Sequence, residues 1–161
     1  MQEVFMSAIT ADLSTHAFTQ GFWPDHIARL RNMASEVTFR PGEMIFHEGD
    51  HSSFFYLLVT GNVALEVISP GRPVRVHTLF PGDLLGWSSV TGDGDSKQFQ
   101  ARALENVRAL AFDGARLRHA CEEDYAFGFH FMRAILSVMS ERLHAIRTQL
   151  VDLYTPVGCG K

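Results

Sequence analysis

The sequence predicts a mainly β domain with helices at both ends, and three observations carry that prediction. From Ser35 to Phe112, short apolar runs are broken by glycine turns roughly 8 to 12 residues apart, the spacing of a β-sandwich, jelly roll or barrel. Residues 1 to 34 lack those turns and read as helical. From Tyr125 to Tyr154 the apolar positions advance in steps of three and four, as on one face of a long helix. With 161 residues, 46% apolar and 20% charged, the chain has the length and composition of a single globular domain able to bury a core.

The helical lead-in has a weak first segment around Ala8 to Phe18 and a clearer second one from Pro24. Pro24 suits a first helical turn and Asp25 the positive helix end, while Ile27, Leu30 and Met33 share a face. Phe22 and Trp23 are expected to anchor that helix by hydrophobic packing. In the β region, Val37 and Phe39 alternate before Pro41-Gly42, Met44 to Phe46 follow, and Gly49-Asp50 leads into Phe54 to Val59. Gly61-Asn62 is a hairpin signal, followed by Val63, Leu65 and Val67, then Pro70-Gly71 and a strand through Val74, Val76 and Leu79. A strand through Phe99, Ala101 and Ala103 and another over Leu104 to Phe112 complete seven or eight strands. Phe46, Phe55, Leu57, Val63, Leu65, Val76, Phe99 and Ala101 are the expected core.

Asp113 reads as the cap of a short helix over Ala115 to Cys121, and a long helix follows over Tyr125 to Tyr154. Its seam is Phe129, Met132, Leu136, Met139, Leu143, Ile146, Leu150 and Leu153, four heptads in register. Phe131, Ile135 and Val138 add a second apolar flank to the first half, which predicts burial on two sides there. The second half is predicted to be covered only along the seam, with Met139, Leu143, Ile146 and Leu150 in a homodimer interface. The alternative is a helix lying wholly on its own domain. Residues 1–155 thus form one domain, divided into 1–34, 35–112 and 113–155, with 156–161 as a tail.

Eighteen acidic against 14 basic residues, net −4 with no basic block, point to a small molecule or a protein as partner rather than nucleic acid. The two cysteines, Cys121 and Cys159, are isolated, as expected in a reducing cytoplasm. Neither a signal peptide nor a membrane helix is indicated. His47, His51 and His77 lie on the β region, but their spacing does not supply a cupin-type metal set, and Asp93-Gly94-Asp95 reads as a solvated turn. No nucleophile and base stand at catalytic spacing, so no enzyme activity is expected.

The chemistry concentrates in Phe80 to Leu104. A Pro-Gly turn leads to the corner Gly86, Trp87, Ser88, Ser89, then to an acidic glycine loop and back to alternating sequence at Phe99. A glycine corner followed by a short helical turn can aim several backbone N–H groups at one anion. Lys97, Gln98 and Ser88 or Ser89 could fix a single anionic group, and Trp87 offers a flat surface for stacking. Alternation after Lys97 puts Arg102 on the opposite face, where it reads as a surface or edge charge.

Together the lead-in, Pro41-Gly42-Glu43, Glu48-Gly49-Asp50, Phe55 to Leu58, Gly61, Pro81-Gly82-Asp83, Gly86 and the long helix resemble a cyclic nucleotide-binding domain of the catabolite activator protein superfamily, over about Phe18 to Tyr154. The resemblance implies a double-stranded β-helix or jelly-roll fold, with Gly86 to Phe99 as the phosphate-binding cassette. It also implies that Arg142 on the long helix, and Thr148 with it, approach the pocket. Regulators of that superfamily continue into a helix-turn-helix domain; this chain reaches Lys161 without one, so a stand-alone module with no direct DNA contact is expected.

Two positions depart from the pattern. Where such binders carry an acid for the ribose hydroxyl, this chain has Trp87, and the phosphate-gripping arginine falls on Lys97. Lysine brings charge without the two-pronged donor set, and each lost charged hydrogen bond is worth ~1.5–3 kcal/mol. The resemblance therefore implies a regulatory ligand sensor binding cAMP or cGMP weakly, or another small anionic or aromatic ligand, and acting through a dimer on a protein partner. The alternatives are a ligand-free dimeric interaction protein in which Trp87 fills the pocket and, ranked last, a cupin-like metal enzyme.

Overall fold

In a computed structural model of the chain, residues 2–51, 53–92 and 97–154 are described, residues 2–7 and 153 as backbone only. The expected tail at 156–161, Cys159, the Asp93 to Asp95 turn and the Leu153 side chain lie outside these. Helix α1 (Gln2–Thr15), a single 3-10 turn at Ala17–Thr19 and α2 (Pro24–Met33) lead in. Strands β1 (Ser35–Phe39), β2 (Met44–Phe46), β3 (Phe54–Thr60), β4 (Val63–Ser69), β5 (Arg72–Leu79) and β6 (Leu84–Leu85) follow, then the short helix α3 (Ser88–Thr91). Strands β7 (Gln100–Ala103) and β8 (Val107–Asp113) precede helices α4 (Gly114–Glu123) and α5 (Tyr125–Tyr154).

The eight strands form two antiparallel sheets, ordered β1-β8-β3-β6 and β2-β7-β4-β5, so the expected jelly roll is present. Strand β6 is the addition: Leu84 and Leu85, between the Pro-Gly turn and the corner, pair with Leu57 and Tyr56. The first helix starts earlier than its periodicity suggested and ends at Thr15, with Phe18 in the separate 3-10 turn.

Three turns of the roll are built alike. In Arg40 to Glu43, His47 to Asp50 and Phe80 to Asp83, the carboxylate of the fourth residue accepts the N–H of the first at 2.7–2.8 Å. This local bond offers the backbone a partner that the ladder does not supply, which is why the motifs read Pro-Gly-acid or Glu-Gly-Asp.

Alternation divides the core in two. Phe55 and Leu57 of β3, with Leu110 and Phe112 of β8, face the helices and pack on Ile9, Leu13, Phe18, Leu30, Leu117, Phe127, Phe131 and Ile135. Leu58 and Ala109 point the other way, into the roll, against Val63, Leu65, Leu79, Leu85 and Ala101. Phe46, Val76 and Phe99 pack on this inner core but are only half-buried. Trp23 departs further from expectation: at 55% exposed it is no anchor, and its ring stacks on buried His26 while Phe22 packs on the core.

The helices are held by polar pegs at their ends. Buried His16 bonds the Leu58 carbonyl through Nε2 at 2.8 Å and accepts the Phe18 N–H at Nδ1, which ties the lead-in to β3 and assigns the Nε2–H tautomer. Asp113 caps α4 by accepting the Arg116 N–H, and Asp124 caps α5 by accepting that of Phe127. On α5 the covered flank is Phe127, Phe131 and Ile135, whereas Phe129, Leu136, Leu143 and Leu150 are exposed. In the first half that flank does most of the packing, and of the seam Met132 and Met139 are half-buried against the core while Phe129 and Leu136 stay exposed.

Candidate functional site

At the corner after β6 the chain must turn sharply beneath β3. Gly86 adopts φ +77°, where a side chain is strained, and a Cβ there would overlap the Phe54 carbonyl and come within 3.1 Å of Lys97 Nζ. Helix α3 then closes on itself, with the N–H groups of Val90 and Thr91 donating to the Trp87 carbonyl. Ser89 is fully buried and donates both its N–H and its hydroxyl to the Gly86 carbonyl. It does not line the pocket, which corrects its expected role: it locks the corner from behind.

Helix α4 fixes α3 in place. Gly114 abuts Ser89 so closely that a Cβ would overlap its carbonyl, and Arg118 donates to the carbonyls of Ser89 (2.8 Å) and Gly92 (3.1 Å). Nothing in the sequence distinguished Arg118 from the other basic residues of α4, since its partners lie more than 25 positions away.

The pocket in front of this corner is lined by Gly86, Trp87, Ser88, Lys97, Gln98, Phe99 and Arg142, so seven of the eight expected residues meet there. Phe46, Leu65 and Leu85 complete the wall and were missed as lining: alternation marks Phe46 and Leu65 only as core, and Leu85 belongs to a strand that was not expected. Thr148 is exposed further along α5, bonding its own helix, and does not line the pocket. Arg102 is more than an edge charge: it is half-buried and pairs with Glu66, whose carboxylate also accepts from Gln100. The cavity is about 30 Å³. A larger cleft of about 570 Å³ opens between the 3-10 turn, the Pro81 to Asp83 turn and α5. Its rim carries Asp83, Glu141 and Arg133, charges of both signs, and it does not include the glycine corner.

Lys97 dominates the small pocket. It is 6% exposed, and its backbone is clamped by the Asp50 carbonyl and the Gly49 N–H. Among the described residues its ammonium makes one long bond, to the Phe54 carbonyl (3.4 Å), and stands 4.5 Å from the centre of the Phe46 ring. Burial pushes its pKa down to about 8, only partly opposed by Asp50. Arg142 reaches in from α5 and donates to the Leu84 carbonyl at 2.9 Å; burial lowers its pKa too, against the charge of Asp83. His77 is lowered by burial and then by Arg142.

A lysine whose folded pKa lies below its unfolded value penalises the fold while charged. That penalty is fully present below about pH 8 and is relieved as pH rises towards the ordinary 10.5, because only the unfolded chain still holds the proton. Lys97→Met is therefore expected to be more stable than wild type at pH 7, with the gap narrowing between pH 8 and 10. Urea denaturation across that range checks it; a constant gap would refute it.

The Cys121 thiol is pushed up to about pKa 11 by burial, a poor setting for a nucleophile. Among the described residues no group of three or more His, Cys, Asp or Glu could hold a metal ion, and no helix is long and apolar enough to cross a membrane.

Comparison with known proteins points the same way. The profile of the family described as Cyclic nucleotide-binding domain matches residues 36–124. Over 135 residues the chain is 28% identical to a CRP-like cAMP-activated global transcriptional regulator of Mycobacterium tuberculosis, an alignment covering 83% of this chain and 58% of that one. The chain thus spans little more than half the length of the curated relatives it matches. Among solved structures, a candidate cyclic nucleotide-binding protein from Geobacter metallireducens is 28% identical with a TM-score of 0.70, over 79% of this chain and 92% of the other. A cyclic nucleotide-binding domain from Methylobacillus flagellatus gives a TM-score of 0.75 at 15% identity, over 98% and 86% respectively, a likeness of fold alone.

Proposed function

The chain belongs to the cyclic nucleotide-binding domain family, and from that premise we propose that it is a non-catalytic, ligand-sensing regulatory module that signals through a helix-mediated homodimer to a protein partner. The observation that carries this reading is the position of Arg142. It lines the pocket while belonging to α5, one residue before exposed Leu143, so an occupant of the pocket and a partner on the seam act on the same turn of helix. A second route runs from the corner through Arg118 to α4, which packs on α5 where Gly128 meets Cys121. Either route gives a ligand a physical means of biasing the helix pair against the roll. The ligand residues in this reading are Gly86, Trp87, Ser88, Lys97, Gln98, Phe99 and Arg142. The module works in the cytoplasm, and no DNA contact is assigned to these residues.

Cyclic nucleotides are expected to bind weakly, because Trp87 and Lys97 replace the acid and arginine that the family pattern supplies. Ligand that binds only the folded state raises stability by mass action, about 2.7 kcal/mol at a hundredfold excess over Kd. A melting-temperature rise with cAMP or cGMP confined to millimolar concentrations is the expected result. No rise with either would count against nucleotide sensing. One observation favours a second reading, the ligand-free interaction protein: the recess at the corner, about 30 Å³, is far smaller than the ~300–1,000 Å³ of ordinary small-molecule pockets.

A further inference from the structure

We propose that His16 is an acid-released latch: a proton taken up at Nδ1 detaches the 3-10 turn at Ala17–Thr19 from β3 and loosens the helical lead-in against the roll. The inference concerns the lead-in and stands whatever the pocket at Gly86 holds.

Three segments meet at His16. Its backbone N–H donates to the Asp12 carbonyl of α1 (2.9 Å), and its carbonyl accepts the Thr19 N–H (3.1 Å), the Thr19 hydroxyl (3.0 Å) and the Gln20 side-chain amide (3.4 Å). On the far side, the ring donates from Nε2 to the Leu58 carbonyl at 2.8 Å, and that same oxygen accepts the Gly82 N–H at 2.9 Å. One atom of β3 thus holds both the 3-10 turn and the Pro81 to Asp83 turn, which line the cleft of about 570 Å³ together with α5. The turn carries Phe18, only 3% exposed, whose ring lies 5.2–5.7 Å from those of Phe22, Phe55 and Phe131. Phe131 belongs to the covered flank of α5, so what loosens the turn also loosens the long helix.

The imidazole has no spare nitrogen. Nδ1 must keep its lone pair to accept the Phe18 N–H (3.1 Å), and Nε2 must keep its hydrogen for Leu58, so only the neutral ring satisfies both bonds. A second proton sets two N–H groups face to face and leaves the Phe18 donor unpaired at a residue 6% exposed, where that is costly. Burial accordingly lowers the His16 pKa, opposed by the Leu58 bond and then by the charges of Asp83 and Asp12. Asp12 is itself paired with Arg108 of β8, which also reaches Glu36 of β1. His77 of β5 shares the field of Asp83, and α5 sets His130, Arg133 and Glu141 along the same cleft. Once the ring has left Leu58 it takes a proton as a free histidine does. Below the ordinary pKa of 6.5 the open turn therefore gains on the closed one by up to tenfold per pH unit, whereas above it the ring is neutral in both and the latch is unaffected.

The test is amide hydrogen exchange of the full chain, resolved by residue and expressed as protection factors between pH 7.5 and pH 5. The expected result is a loss of protection at Phe18 and Thr19 that begins near pH 6.5 and approaches tenfold per unit below it, while the amides of β4 and β7 hold theirs. His16→Gln, which cannot titrate, is expected to show the same Phe18 protection at every pH. Protection at Phe18 that is independent of pH in the wild type, or that falls equally in His16→Gln, overturns the proposal. So does a loss shared by both sheets, which is global acid unfolding rather than release of one turn. Because the variant bears on a buried contact and its folding is at stake, 15N shifts of the His16 ring in the wild-type chain give a second readout. They are expected to report the Nε2–H form at pH 7.5 and its protonation in step with the loss at Phe18; a ring that takes its proton with no change at Phe18 also overturns the latch.

Discussion

A Leu143→Glu chain is expected to elute as a monomer, and the wild-type chain as the proposed dimer. Helix α5 is 30 residues long, about 45 Å, and its own domain covers the flank through Phe127, Phe131 and Ile135 and half-buries Met132 and Met139 of the seam. What remains is a stripe of large apolar side chains at heptad spacing, with Phe129 64%, Leu136 65%, Leu143 69% and Leu150 51% exposed. A contiguous stripe of this kind is more than scattered surface leucines, and a second copy of the same helix offers the matching face. Burying each leucine contributes roughly 1.5–3 kcal/mol, and a symmetric pair counts every residue twice. A glutamate at the centre of the seam removes that gain in both copies and brings two like charges together. The combined loss of several kcal/mol is worth orders of magnitude in Kd. Sedimentation velocity decides it, and an unchanged sedimenting mass would end the dimer proposal.

The contrast along α5 shows what a sequence can carry. The period of three and four located the helix, from about Tyr125 to Tyr154, because it is a property of consecutive positions. Which of the two apolar flanks meets the domain was not legible there, since Phe131 and Phe129 are equally apolar and only the stacking of β3 and β8 beneath the helix chooses between them. The turns behaved similarly: Pro-Gly-acid motifs are closed by bonds three residues apart and so are written locally. Contacts across distant positions were not. His16 bonds Leu58, Arg118 bonds Ser89, and Arg142 bonds Leu84, 58 residues away. Arg142 was reached only through the family resemblance. Ser88 and Ser89 were offered as equivalent, and the handedness of one glycine corner sends the second of them into the core.

That corner also carries a large single-residue effect. Gly86→Ala must first accept φ +77°, a left-handed backbone that costs an ordinary residue about 1–2 kcal/mol. It then places a methyl group into the Phe54 carbonyl, a backbone atom of β3 next to Phe55 in the core, which cannot retreat without disturbing the pairing of Phe54 and Phe55 with Asp113 and Phe112. Overpacking of this kind adds about 1–3 kcal/mol. The same carbonyl is the one that accepts from Lys97, so the displaced strand also shifts the ammonium that lines the pocket. Gly71→Ala separates the two costs: its φ is +81°, but a Cβ there meets nothing within 4 Å. Urea denaturation should therefore find Gly71→Ala destabilised by about the backbone cost alone, and Gly86→Ala by roughly twice as much or more. Only the latter should lose its response to pocket ligands. Equal losses of stability in the two variants would mean that the corner tolerates the intrusion and that the close approach of β3 to Gly86 is not what holds the pocket in shape.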